Sequence, residues 1–97
     1  MNGMRPIHPG EILREEFMEP HGLSANALAI ALRVPASRIN DISLERRAIS
    51  PDTALRLARY FNTSVEFWPN LQAAFDLKVA SSTLGKKIEK EIDPLAA

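Results

Sequence analysis

The 97-residue chain sets twelve Lys and Arg against twelve Asp and Glu, so its net charge is zero at pH 7 and charge alone points to neither nucleic acid nor an anionic membrane. Its length suits one domain, and 45% apolar with 25% charged residues is the balance of a soluble globular fold. The absence of cysteine excludes disulfides, cysteine-based zinc sites and a thiol nucleophile.

No apolar run approaches the ~20 residues of a membrane span. The start, Met1 to Pro6, lacks the apolar stretch of a secretory leader. A cytoplasmic protein without a membrane segment is therefore expected. The zero net charge hides a pattern. Arg33, Arg38, Arg46, Arg47, Arg56 and Arg59 face only Asp41, Glu45 and Asp52, which makes residues 33–59 net +3. Every cation of that block is Arg, the side chain suited to phosphate and base edges.

Strand signals are almost absent, and Thr63-Ser64-Val65 is the one β-branched cluster. Helix punctuation recurs instead. Pro9 suits a first helical turn, where its missing N–H is not needed. Ile12, Leu13 and Phe17 then form an apolar stripe, which Pro20 and Gly22 end. Ser24 reads as the cap of a second helix carrying Leu28, Ala29 and Leu32. Arg33-Val34-Pro35 interrupts it. Pro35 is expected as the first residue of a third helix, with Ile39 and Ile42 turned inward. Leu44 to Ala48 is a charged connection. Ser50-Pro51-Asp52 joins a cap, a first-turn proline and an acid near the positive helix end. Asn62 suits a left-handed stop. Ser64 is expected to cap a fifth helix with Val65, Phe67, Trp68, Leu71, Phe75 and Val79, kinked by Pro69 four residues in. From Ser81 to Ala97, Leu84, Ile88 and Ile92 recur every four residues, which fits a short tail or a further helix that Pro94 ends.

The middle helices carry the functional signal. Two short helices that cross steeply need a small residue where they nearly touch, and Ala29 is one. They need apolar anchors on the second helix, and Ile39 and Ile42 serve. This is the spacing of a helix-turn-helix, with Pro35–Leu44 as the helix that enters the major groove. At 100° per residue, Ser37, Asn40, Asp41 and Leu44 point outward, flanked by Ala36 and Arg38.

The strings His8-Pro9-Gly10-Glu11-Ile12-Leu13, Leu28-Ala29, Val34 to Asn40, Asp52 to Ala58, and Glu66-Phe67-Trp68 with Asn70-Leu71-Gln72 resemble HigA-type antitoxins. These are Xre-type, repressor-like proteins, and the resemblance spans residues 7–80. It implies an all-α fold: a five-helix helix-turn-helix domain over 7–80, with 81–97 as a short C-terminal tail or helix. It implies a type II antitoxin, a homodimer on palindromic operator DNA that represses its own operon and neutralises a HigB-like mRNA endonuclease toxin. The alternatives are a solo regulator and a toxin-binding protein that has lost DNA binding. By the family pattern Ala36, Ser37, Arg38, Asn40 and Asp41 fall where bases are read. Arg46 and Arg47 fall where phosphates are met, and Arg33 adds a further phosphate contact. Five positions depart from the pattern: Ala25 stands in place of Gln, Arg33 in place of Gly, Leu44-Glu45 in place of Asn-Gly, and Pro69 in place of an ordinary helix residue.

No motif for catalysis or for a cofactor is present. His8 and His21 lack metal spacing, and His8 reads as a helix cap. No serine sits in G-x-S-x-G. Glu11, Glu15, Glu16 and Glu19 form a solvated acidic face that suits a basic partner. Six aromatics are too many for a 97-residue core to bury in one protomer, so Phe67, Trp68 and Leu71 are expected at a subunit interface. Asp41, three residues from Arg38, either meets a base or holds that guanidinium.

Overall fold

The computed structural model describes residues 5–96. Met1 to Met4, which make up most of the segment Met1 to Pro6, and Ala97 lie outside the described residues. The helices are α1 (Pro9–Ile12), α2 (Ala25–Leu32), α3 (Ala36–Ser43), α4 (Pro51–Phe61) and α5 (Phe67–Glu91). There is no strand among the described residues, and no helix is long and apolar enough to cross a membrane.

His8 opens α1, its Nδ1 accepting the N–H of Gly10 at 2.8 Å, with Pro9 as the first helical residue. The helix then widens to a π form over Leu13–Met18 and tightens to a 3-10 turn over Glu19–His21. Pro20, without an N–H, cannot continue an α ladder, and Gly22 ends the segment at φ 62°. Ser24 caps α2 through the N–H of Ala27 at 3.0 Å. Ser50 caps α4 through the N–H of Thr53, and Asn62 closes it at φ 57°.

Three sequence expectations are corrected. Pro35 is the cap of α3 rather than its first residue, with extended backbone at φ −61°, ψ 143°. Ser64 does not cap α5, because Val65 and Glu66 form a turn first and Glu66 is the residue before the helix. Pro69 is consequently the third residue of α5, inside the first turn. The first i to i−4 bond of that helix belongs to Asn70 N–H and Glu66 C=O at 2.9 Å, so the missing proline N–H breaks nothing and forces no kink.

Leu13, Leu28, Ile39, Ile42, Leu57 and Trp68 are fully buried and make one core. Ala29 is buried where α2 meets α3. Burying each large aliphatic side chain contributes about 1.5–3 kcal/mol. Gly10 is pressed against the far end of α3: a Cβ there would lie 1.8 Å from the carbonyl oxygen of Ile42. The α3 helix is thus clamped between α2 and the start of α1. With 25 residues, α5 spans about 37 Å. The boundary expected at residue 80 falls inside this helix, which exposes Leu77 before its midpoint and Leu84 and Ile88 in its distal half.

Candidate nucleic-acid interface

The outward side of α3 is built by what holds its inward side. Ile39 and Ile42 fill the core, which leaves Ala36, Ser37 and Asn40 exposed on the opposite face. The turn before it depends on Arg33, which takes the left-handed geometry at φ 59°, ψ 47° and lets Val34 N–H reach Ala29 C=O at 3.0 Å. A side chain in that geometry costs on the order of 1 kcal/mol, which the buried core absorbs. Arg33 is exposed and makes no ion pair among the described residues.

Arg38 and Asp41 do not face one another as a pair. Arg38 Nη1 donates to Asp52 Oδ2 at 2.7 Å, on α4. The same carboxylate accepts from Arg56 Nε at 3.1 and 3.2 Å. Arg56 Nη1 in turn donates to the last carbonyl of α2, Leu32 C=O, at 2.8 Å. Arg56 and then Arg38 hold the Asp52 carboxyl below the usual carboxylate range. One exposed acid therefore links α3, α4 and the end of α2. Asp41 is instead engaged by Arg46 at 3.1 Å and Arg47 at 3.7 Å.

The loop after α3 keeps the left-handed residue that a glycine would supply: Glu45 stands at φ 65°. Arg14 steadies it, donating to Ser43 C=O and to Glu45 Oε2. Farther on, Ile49 N–H donates to Gln72 Oε1 of α5 at 2.8 Å. Sequence reasoning missed Arg14, Asp52 and Gln72 as positioning residues. The Asp52–Arg56 pair was legible from its i, i+4 spacing. The Arg14 and Gln72 contacts span 29 and 23 residues and leave no local trace.

The acidic face is half occupied. Glu11 is paired with Arg5 at 2.8 Å and Glu15 with Arg14 at 3.1 Å. Glu16 and Glu19 make no ion pair among the described residues. The subunit-interface expectation is corrected for Trp68. Its ring is fully buried within the single chain, against Phe17 and Phe67 at centroid distances of 4.9 Å, and cannot reach a second copy. Phe67 and Leu71 are half-buried on the same core.

Two eight-residue helices joined through a left-handed turn, with the second anchored by two isoleucines and exposing short polar side chains, define a repressor-like helix-turn-helix protein. Residues 15–68 match the helix-turn-helix family. Virulence-associated protein I of Dichelobacter nodosus is 61% identical over 79 residues, covering 81% of this chain and 73% of that protein. Antitoxin HigA-1 of Vibrio cholerae serotype O1 is 36% identical over 73 residues, covering 75% and 69%. A solved structure of Pseudomonas aeruginosa antitoxin HigA with the higBA promoter superposes with a TM-score of 0.93 at 55% identity, covering 95% of this chain and all of that one. The chain belongs to the helix-turn-helix family and, within it, to the HigA-type antitoxins.

Proposed function

We propose that the chain is the antitoxin of a type II toxin–antitoxin module and the repressor of its own operon, a homodimer that reads a palindromic operator and neutralises a HigB-like mRNA endonuclease toxin in the cytoplasm. The observation that carries the reading is the outward face of α3, with Ser37 and Asn40 exposed on a helix clamped from behind. The Pseudomonas aeruginosa antitoxin, which shares this fold over nearly the whole chain, was solved with promoter DNA.

In this reading Ser37 and Asn40 meet base edges, with Ala36 allowing close approach; Asn pairs bidentately with adenine. Arg38, tied to Asp52, chiefly braces α3. Arg33, Arg46 and Arg47 meet phosphates. Residues 7–80 read DNA, and the distal part of α5 assembles the dimer through its exposed apolar side chains, with Phe67 and Leu71 at its base. Two half-sites about 34–36 Å apart set the symmetry. The unpaired carboxylates of Glu16 and Glu19 offer a basic toxin a surface away from α3. The protein's role is binding, and no step of it is catalytic.

The test is a gel-shift titration on the protein's own upstream DNA against a scrambled duplex, together with co-purification with the product of the adjacent reading frame. Equal affinity for both duplexes sinks the operator reading. Failure to co-purify with a basic neighbour leaves a solo regulator.

A further inference from the structure

Asp41 lies on the face of α3 where a base-reading role was expected, yet its carboxylate is already engaged. Oδ1 accepts from Arg46 Nη2 at 3.1 Å, and Oδ2 lies 3.7 Å from Arg47 Nη2. The backbone fixes the arrangement, because Arg46 N–H donates to Asp41 C=O at 2.8 Å and folds the loop over the last turn of α3. Neither arginine has another acidic partner among the described residues. Both remain about half exposed or more, at 62% and 48% of the side chain, so they stay available to a phosphate.

We propose that Asp41 sets affinity rather than sequence preference: it restrains Arg46 and Arg47 and so weakens the protein's grip on duplex DNA of any sequence. The inference rests on the DNA-binding reading above. An arginine that moves onto a phosphate gives up part of its attraction to Asp41. The carboxylate left behind stands close to the polyanion and takes up a cation. The net number of cations released on binding is then smaller, by about one per protomer, than two unrestrained arginines would give. Phosphates are the same in every sequence, so the restraint acts alike on operator and non-operator DNA. A carboxylate that reads cytosine gives the opposite pattern, a selective loss on the operator when it is removed.

The experiment is a fluorescence-anisotropy titration of the full chain with a duplex from its own upstream region and with a shuffled duplex, across a series of salt concentrations. Asp41→Asn keeps the shape and removes the charge. It should bind both duplexes roughly 3–10-fold tighter at low salt and steepen the salt dependence by about one unit per protomer, with the operator-to-shuffled ratio unchanged. Asp41→Glu, which keeps the charge, should stay near the wild type. In an Arg46→Ala, Arg47→Ala background the Asp41→Asn gain should disappear. Asp41→Asn that leaves both affinities unchanged, weakens both, or weakens the operator alone overturns the inference while the DNA-binding reading stands. Wild-type protein that binds neither duplex overturns both.

Discussion

The α-carbon of Gly10 faces the carbonyl of Ile42 so closely that a Cβ at residue 10 would lie 1.8 Å from that oxygen. One face of α3 is thereby set by a residue 32 positions earlier in the chain. Gly10→Ala must displace backbone, because neither the start of α1 nor the end of α3 is a flexible side chain. Overpacking of this kind costs about 1–3 kcal/mol. We expect a lower urea midpoint, and operator affinity that falls even where the variant is still folded. An unchanged operator affinity would show that α3 does not depend on this contact.

His8 makes stability depend on pH. Its ring is buried against Phe75, with centroids 4.8 Å apart, and Nδ1 must be unprotonated to accept the Gly10 N–H. Burial lowers its pKa, and Glu45 and Asp76 oppose that more weakly. The folded state therefore binds a proton less readily than the unfolded chain, whose histidine titrates at about 6.5. The contribution is complete above that pH and is lost as pH falls from about 6.5 toward the folded-state value, by at most about 1.4 kcal/mol per pH unit. Chemical denaturation at pH 7.5 and 5.5 should show the loss. His8→Asn, which caps without titrating, should reduce it.

Asn40 is exposed on the outward face of α3 and its neighbours Ile39 and Ile42 are fully buried. Asn40→Ala should cost about 1–3 kcal/mol on the operator and little on a scrambled duplex. Arg33→Ala should instead weaken both and flatten the salt dependence by about one unit per protomer. If the operator-to-scrambled ratio survives Asn40→Ala, α3 is not the reading helix.

Trp68 and Ile88 separate folding from assembly. Trp68 is fully buried in the core of the single chain, so Trp68→Ala should cost about 3–5 kcal/mol and lower thermal stability at any protein concentration. Ile88 is exposed on distal α5, so Ile88→Asp should leave the helical signal intact and shift the protein from dimer to monomer. Light scattering at tens of micromolar, with circular dichroism on the same samples, reads both. A fully helical Ile88→Asp dimer would place the interface elsewhere.

Most of the architecture was legible because it is written in local chemistry. The caps at Ser24 and Ser50, the proline at Pro9, the left-handed stop at Asn62 and the inward spacing of Ile39 and Ile42 each act within one or two turns. The start of α5 was misjudged for the same local reason. Ser64 has the chemistry of a cap, but the extra turn at Val65 and Glu66 moves the helix start and turns Pro69 from a kink into a first-turn residue.

The sequence by itself determined that the protein is helical, where the second helix of its helix-turn-helix lies and which side chains that helix turns outward, because periodicity and capping operate over three to five residues. Tertiary structure alone decided which charges meet. Asp52 takes Arg38, Asp41 takes Arg46 and Arg47, and Arg14 reaches the end of α3 from the first helix. It alone placed Trp68 in the core of one chain. Ion pairing and burial depend on distances set by the folding of whole helices against one another, and charges 14 or 31 residues apart in the chain carry no mark of the partner that packing will bring to them.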